Sequence, residues 1–438
     1  MNILSKKKIS PSLKIIIGLL ISIVLGSILL VLPISMKSGA SANYIDALFM
    51  SFSSVCITGL NIYESLNVYS VFGLIIISIL TLIGALGFVT ITLFILSLFG
   101  INFDVSDTAV IQETIGSKSL RGISKLLKEM IIITASFILF GTILYMITFA
   151  SIINFNNFFD LFFYSLFHAI STYCNTGYTL YDLSFAVTIS NNIMFNITNN
   201  LLVIFGGLGY LVVIDLIMVF KLKKITFHSK IVLVTSAFLI VLGTVLLKLG
   251  DSKMSFVQSL FLAINARTSG FTTFDINNMT NSNNLVLIFL MFIGGSPASF
   301  AGGIKTTTFF VFIITLISYA RGKAPTAFYK KIADQSIIKA FTIALLSVFL
   351  IFIAVLFIVF IEKESHNISD IIFNIVSSFS NTGLALGKIG DYLIASKIIF
   401  ALMMFIGRIG PITIVTVWNK NAISKSNIGY MEERVIVG

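Results

Sequence analysis

The stretch Cys174-Asn-Thr-Gly177-Tyr178 decides the fold of this chain, because its pattern occurs four times. A hydroxyl residue stands directly before a glycine, and an apolar or aromatic residue follows, in Cys56-Ile-Thr-Gly59-Leu60, Cys174-Asn-Thr-Gly177-Tyr178, Arg267-Thr-Ser-Gly270-Phe271 and Ser380-Asn-Thr-Gly383-Leu384. The glycines are separated by roughly 120, 90 and 110 residues, which indicates an internal repeat. Glycine beside a small hydroxyl residue lets a backbone turn its carbonyl oxygens towards a bare cation. We call these stretches glycine loops 1 to 4, and they predict a four-fold pseudosymmetric cation pore.

The composition indicates a membrane protein. Hydrophobic residues make up 57% of the 438 residues and charged residues 11%, and the mean hydropathy is +1.03. A soluble domain of this composition could not cover its apolar surface, so we expect an all-α protein that crosses the membrane several times. The first apolar span, residues 15–32, follows four lysines, so a cleaved signal peptide is an alternative. It ends Leu32-Pro33-Ile34 without a small-residue cleavage site, which favours a transmembrane helix.

Apolar stretches long enough to cross the hydrocarbon predict eight transmembrane helices, at 15–32, 71–99, 129–150, 193–220, 231–249, 284–318, 337–361 and 393–418. Shorter, half-apolar segments run into the glycine loops and are predicted to be re-entrant pore helices, at 43–55, 158–173, 255–266 and 369–379. The unit of helix, pore helix, loop and helix predicts four pore repeats, at 12–100, 128–221, 229–319 and 336–419. Residues 101–127 are predicted to be a cytoplasmic amphipathic linker and 420–438 a C-terminal tail.

The distribution of basic residues predicts the orientation. With both termini in the cytoplasm, 20 of the 29 Lys and Arg residues lie inside and six lie in outer segments. This asymmetry follows the positive-inside rule, so the net charge of +11 reflects topology and does not imply nucleic-acid binding. The two cysteines, Cys56 and Cys174, are interpreted as packing residues behind the loops. The three histidines lack metal spacing, and no catalytic residues are predicted.

Residues 294–308 form a second unusual stretch, Gly294-Gly-Ser-Pro-Ala-Ser-Phe-Ala-Gly302-Gly-Ile-Lys305-Thr-Thr-Thr308. A nucleotide phosphate loop is an alternative, but Ile304 separates Gly303 from Lys305 and no strand pattern precedes it. Four glycines and Pro297 cannot hold a helix in the middle of a membrane, so we expect the span 284–318 to be broken there. Lys305 would then lie within the membrane, facing a cavity or, alternatively, snorkelling to the cytoplasmic interface.

Arg408 stands in the middle of the last span, in Phe405-Ile-Gly-Arg408-Ile-Gly-Pro411. A permanent cation there is costly unless it faces water or a partner. Asp215 is a conceivable partner in a structural ion pair, and the alternative is a position facing the pore.

Taken together, the ordered glycine loops and these two stretches resemble the Trk/Ktr/HKT superfamily of potassium transporters, most closely the membrane subunit of bacterial Ktr-type uptake systems. The resemblance covers nearly the whole chain. It implies potassium uptake across the bacterial cytoplasmic membrane, with Na+ left open as a coupling or activating ion. It also implies a homodimer in membrane lipid and a separate cytoplasmic ring of nucleotide-binding regulatory subunits.

The resemblance assigns residues as well. The potassium-binding filter would consist of Ile57, Thr58, Gly59, Asn175, Thr176, Gly177, Thr268, Ser269, Gly270, Asn381, Thr382 and Gly383. The gate would consist of Gly294, Gly295, Gly302, Gly303, Lys305 and Arg408. Glycine in all four loops accompanies potassium transport in the superfamily, whereas serine in the first accompanies sodium transport. Because Ser269 keeps a small hydroxyl, we expect little change from its replacing threonine in loop 3.

Two other functions compete with this interpretation. An ion-coupled secondary transporter with inverted repeats would also contain a broken helix, but it predicts two matching halves instead of four matching loops. A structural or respiratory subunit of a larger complex would not need the loops.

Overall fold

The computed structural model describes residues 11–37, 43–63, 65–87, 123–153, 155, 157–181, 189–190, 192–363 and 365–410. The tail 420–438 and residues 101–122 of the predicted linker lie outside the described residues, as do 88–99 of the second predicted span. Over the described residues, the helices and the loops between them are accompanied by one short hairpin, in which Thr326–Ala327 pairs with Lys330–Lys331.

The described helices are grouped here by the predicted repeats, a division that stays a prediction. Repeat 1 contains α1 (Pro11–Val31), α2 (Tyr44–Val55) and α3 (Val71–Leu86). Repeat 2 contains α4 (Ile123–Ala150), α5 (Phe158–Tyr173), α6 (Ile193–Leu208) and α7 (Tyr210–Leu222). Repeat 3 contains α8 (Phe227–Gly250), α9 (Phe256–Asn265), α10 (Asn281–Phe292) and α11 (Thr306–Ala320). Repeat 4 contains α12 (Asp334–Glu362), α13 (Ile368–Ser380) and α14 (Ile394–Ile409).

Each pore helix begins and ends within two residues of its predicted segment. The pore helices are α2, α5, α9 and α13, and each runs directly into a glycine loop. Local capping explains where α9 begins: the Ser255 hydroxyl accepts from the Gln258 N–H, and the Gln258 side chain accepts from the Ser255 N–H. The C-terminal halves of these helices are buried, which places their ends in the interior of the bundle.

The repeats are joined in a closed ring. Within each repeat the first helix packs against the pore helix, as α1 does on α2. Between repeats, the helix that follows each glycine loop packs against the pore helix of the next repeat: α3 contacts α5, α6 contacts α9, α10 contacts α13, and α14 returns to contact α2. The last contact connects repeat 4 to repeat 1. The four pore helices are therefore surrounded in cyclic order.

Helix lengths differ between the two spans of a repeat. Among the described residues, four helices are long and apolar enough to cross a membrane, and each is the first of its repeat: Leu13–Val31, Leu127–Ala150, Phe227–Gly250 and Asp334–Glu362. The second helices α3, α10 and α14 have 16, 12 and 16 residues. The total of eight spans stays a prediction.

The prediction of one continuous span at 193–220 is wrong. Helices α6 and α7 meet at Gly209 with a bend of 103°. Only the two helices together are long enough to cross a membrane. Gly209 has φ +81° and ψ 144°, a conformation that interrupts an α-helix and that a side chain would disfavour. Helices α3 and α14 end at glycines of similar conformation, Gly87 and Gly410. A glycine of this conformation therefore ends a helix in repeats 1, 2 and 4.

Candidate functional site: a ring of four glycine loops

The four glycine loops meet each other in cyclic order. A Cβ atom built on Gly59 would lie 1.7 Å from the Thr176 carbonyl oxygen, and one on Gly177 would lie 1.9 Å from that of Ser269. The same contact joins Gly270 to Thr382 O at 2.1 Å and Gly383 to Thr58 O at 2.2 Å. Because an added carbon at these distances would overlap the oxygen, glycine is required for the loops to approach. Four carbonyl oxygens from four repeats are thereby brought into one ring.

The backbone that leaves each pore helix explains how loops 1, 2 and 4 reach this ring. In loop 1 the N–H of Ile57 donates to Ser54 O at 3.2 Å, and the N–H of Thr58 donates to Ser53 O at 2.8 Å. Loops 2 and 4 repeat both bonds at the equivalent positions. Ile57, Asn175 and Asn381 all have φ between 53° and 60°. The donors are turned back into the helix ends, as at a helix C-terminus closed by a left-handed residue.

Loop 3 reaches the ring differently. The N–H groups of Thr268, Ser269 and Gly270 all donate to one acceptor, Asn265 O, at 3.2, 2.9 and 2.9 Å. Gly270 nevertheless keeps a positive φ, at +66°, although the other three loop glycines have φ between 80° and 94°. The loop that departs in sequence therefore also departs in backbone path.

Residues 293–305, which we call the interhelical segment, connect α10 and α11 without helical structure. Its two ends are held together by a parallel bridge between Ile293 and Ile304, and the Thr306 N–H donates to Gly295 O at 3.0 Å. The segment is thus a closed loop between two half-length helices, at the place where the sequence predicts a broken span.

The interhelical segment packs against the break in repeat 2. The Ser296 N–H donates to Gly207 O at 3.1 Å, and its hydroxyl donates to Leu208 O. In return, the Tyr210 N–H donates to Ala298 O at 3.3 Å. These bonds satisfy backbone groups that the bend at Gly209 leaves without helical partners.

The interhelical segment also lies against glycine loop 4. A Cβ atom on Gly302 would lie 2.0 Å from Asn381 Oδ1, and one on Gly303 would lie 3.2 Å from Ser380 Cα. Phe300 packs edge-on against Tyr173 at the end of α5, with ring centroids 5.4 Å apart. The segment is therefore in direct contact with the loop ring.

Two cations donate to carbonyls of the interhelical segment. Arg408 Nη1 donates to Phe300 O at 2.5 Å and Nη2 donates to Gly84 O, in α3, at 2.6 Å. Lys305 Nζ donates to Ala301 O at 2.5 Å. Asp215 does not pair with Arg408: its carboxylate accepts from the hydroxyls of Thr226 and Ser229 at the turn before α8. The Arg408–Asp215 ion pair considered from sequence is therefore wrong.

Comparison with known proteins identifies the family. The model of the TrkH family, described as cation transport proteins, matches residues 14–242 and 218–430. The chain belongs to this family. It is 30% identical to the potassium/sodium uptake protein NtpJ of Enterococcus hirae, over 99% of the chain and 98% of the relative. It is 31% identical to Ktr system potassium uptake protein B of Bacillus subtilis, over 98% and 97%.

A solved structure of the same family has the same fold. The crystal structure of the potassium transporter TrkH from Vibrio parahaemolyticus aligns with a TM-score of 0.72 at 19% identity, covering 95% of this chain and 88% of that one. The chain is thus an all-α membrane transporter, and its family is one of cation transporters and not of enzymes.

All twelve residues predicted for the filter lie in the ring or directly before its glycines, and all six predicted for the gate lie at the interhelical segment or contact it. Sequence reasoning missed three contributors. Ser296 joins the segment to repeat 2, and Asn265 holds loop 3. Arg267, the first residue of loop 3, is only 6% exposed, and its Nη2 donates to Gly294 O at 3.4 Å.

One signal could have found Asn265. It stands five residues before the loop glycine, where the other repeats have Ser54, Thr172 and Ser378. An amide where three repeats have a hydroxyl marks loop 3 as different. Among the described residues, no group of His, Cys, Asp and Glu side chains could hold a metal ion.

Proposed function

We propose that this protein takes up potassium across the bacterial cytoplasmic membrane, and that the loop ring is its selectivity filter. The observation that carries the proposal is the closed cycle in which each loop glycine meets the carbonyl of the next repeat. Two relatives at about 30% identity are named as potassium or potassium/sodium uptake proteins, which supports the substrate. Na+ stays open as a coupling or activating ion.

A ring of carbonyl oxygens replaces the water that a potassium ion loses on entering the pore. The filter residues proposed are the twelve named above, with the oxygens of Thr58, Thr176, Ser269 and Thr382 at the glycine contacts. Their backbone path is fixed, because the N–H groups are bonded to the pore-helix ends. The cyclic order of the repeats fits a single pore better than the inverted halves of a secondary transporter.

The interhelical segment is proposed as the gate. It lies against loop 4 and contacts three helices. Ser296 bonds to the end of α6, Arg408 of α14 bonds to Phe300 O, and the Phe300 ring packs on α5. The Arg408 and Lys305 charges add an electrostatic barrier to a cation on its way through. Opening would require the segment to leave Arg408 while its bridged ends stay in place.

Regulation is proposed to come from outside the chain. Two relatives carry the name of a Ktr system, which suits a membrane subunit that works with a separate cytoplasmic ring of nucleotide-binding subunits. We further propose that the membrane subunit is a homodimer with both termini in the cytoplasm.

The test is rubidium uptake in a bacterium that lacks its own potassium uptake systems. The wild-type chain, with a regulatory subunit, should restore growth at low potassium and take up rubidium. Replacing Gly59, Gly177, Gly270 or Gly383 by serine should weaken rubidium uptake and lower the preference for potassium over sodium. The reason is that the Cβ atom of each serine would lie about 2 Å from a carbonyl oxygen of the next repeat.

Gly387→Ala is the matched control. Gly387 also has positive φ, at +70°, but nothing lies within 4 Å of its Cβ position. The Gly387→Ala variant should therefore keep the uptake and the ion selectivity of the wild type. The filter assignment is wrong if all four serine variants behave like the wild type at equal membrane abundance.

A further inference from the structure

Behind glycine loop 3 lies a buried chain of side chains that the proposed filter does not yet explain. Ser269 Oγ donates to Asn265 Oδ1 at 2.7 Å, and Asn199 Nδ2 donates to the same oxygen at 3.0 Å. Asn265 Nδ2 in turn donates to Phe261 O at 2.7 Å and to Asn200 Oδ1 at 3.2 Å. All four hydrogen-bonding positions of the Asn265 amide are therefore used.

The chain continues into repeat 2. Asn199 Oδ1 accepts from the Tyr145 hydroxyl at 3.3 Å, and that hydroxyl lies 3.1 Å from Thr172 Oγ1 at the end of α5. Ser269, Asn265 and Asn199 are fully buried. Thus the hydroxyl of loop 3 is connected, through side chains alone, to the pore helix that supports loop 2.

The described residues at the equivalent position of the other three repeats are hydroxyls. Ser54, Thr172 and Ser378 each donate at 2.7 Å to the carbonyl four residues earlier in their own pore helix. Ser54 also lies 3.1 Å from the Tyr178 hydroxyl of loop 2, so a contact between repeats exists there as well. The Asn265 amide differs because its one oxygen accepts both from the hydroxyl of its own loop, Ser269, and from Asn199 of repeat 2.

Loop 3 is also the one that needs extra support. Thr268 lacks the left-handed conformation of Ile57, Asn175 and Asn381, and three N–H groups converge on Asn265 O. Asn265 thus holds loop 3 twice, by its backbone oxygen and by its side chain through Ser269. Both bonds act on the part of loop 3 that contributes the Ser269 carbonyl to the ring.

We propose that Asn265, Asn199 and Ser269 form a positioning network that sets the preference for potassium over sodium at loop 3, an inference that rests on the proposed filter. A buried network with every group satisfied is rigid, since each partial break leaves a polar group unpaired in a low dielectric. If the network holds the Ser269 carbonyl at the potassium distance, loosening it allows the ring to close around a smaller ion.

The experiment measures rubidium influx and its inhibition by sodium in liposomes that contain the purified protein, together with the thermal midpoint in detergent. The variants are Ser269→Ala, Ser269→Thr, Asn199→Leu and Asn265→Leu. The matched control is Asn196→Leu, one turn earlier in α6. Asn196 is also buried, but its amide donates to Ser190 O at 2.8 Å and Asn192 O at 2.9 Å, away from loop 3.

Ser269→Ala and Asn199→Leu should each lower the preference for potassium over sodium roughly two- to tenfold, the range that corresponds to one buried hydrogen bond. Their combination should lower it by less than the product, because both act through Asn265. Ser269→Thr, which keeps the hydroxyl, should lose less of this preference than Ser269→Ala. If Asn265→Leu does not fold, the two single variants still decide the outcome.

Three results would overturn the network. Unchanged selectivity in both single variants would do so, as would an equal loss in Asn196→Leu. A lower thermal midpoint with unchanged selectivity would assign the network a structural role alone. A wild-type protein without preference for potassium would instead refute the proposed filter, and the network with it.

Discussion

Replacing Arg408 by glutamine should open the proposed gate. Arg408 Nη1 donates to Phe300 O of the interhelical segment at 2.5 Å. A hydrogen bond to a charged group contributes about 1.5–3 kcal/mol. Its loss would shift the equilibrium between the held and released segment roughly 10- to 160-fold, since each ~1.4 kcal/mol is tenfold. A cation ~5 Å from the guanidinium is repelled by about 3 kcal/mol at an effective dielectric near 20.

Both effects act in the same direction, so basal rubidium influx should rise at least about a hundredfold in Arg408→Gln. The preference for potassium over sodium should stay unchanged, because the loop ring is intact. The assay is influx into liposomes at equal amounts of protein, without regulatory subunits. Arg321→Gln, which neutralises an exposed arginine at the end of α11, is the matched control and should behave like the wild type.

Arg408→Lys separates the two contributions. An electrostatic barrier uses the charge at position 408 and not the forked shape of the guanidinium. On that ground, a lysine there should behave much like the native arginine. The structure changes that expectation, because the guanidinium bonds carbonyls from two repeats, Phe300 O and Gly84 O. An ammonium keeps the charge but not the two-pronged fork. Influx in Arg408→Lys should therefore lie between the wild type and Arg408→Gln. The reasoning is refuted if Arg408→Gln leaves influx unchanged.

Deleting residues within 296–303 should raise basal cation flux and reduce its dependence on the regulatory subunit, which paired uptake assays would measure; a deletion that abolishes flux in folded protein contradicts the gate. Ser296→Ala should raise basal flux roughly two- to tenfold, since it removes the hydroxyl bond to Leu208 O but not the backbone bond to Gly207 O. Equal flux in both proteins would argue against that contact. Tyr178→Phe removes a buried bond of 3.1 Å between loop 2 and Ser54, and it should lower the thermal midpoint by a few degrees; an unchanged midpoint would show that the bond contributes nothing.

The bounds of the pore helices and the positions of the glycine loops could be predicted from sequence because they depend on local chemistry. Glycine after a hydroxyl, at the end of a half-apolar segment, specifies both a pore-helix end and a close backbone approach. Pro297 and its neighbouring glycines likewise indicate where a helix cannot continue. Each of these signals lies within a few residues of the feature that it predicts.

Other features depend on contacts between distant residues and could not be predicted in this way. In the sequence, Gly209 is an ordinary glycine in an apolar run. The bend there depends on Ser296, a distant residue that supplies partners for the freed carbonyls. The two partners of Arg408 are carbonyls, which every residue has, so the sequence suggested a carboxylate instead. The connection of Asn265 to Asn199 joins two repeats and has no local signature.

The contact between α14 and α2 has a consequence for biosynthesis. The ring of repeats is completed only when the last helix returns to the first pore helix. A nascent chain with three repeats inserted lacks the loop whose glycine meets Thr58 O, and one side of its pore wall is open. If the ring is the filter proposed above, we expect no complete filter to form until the final helix has been inserted.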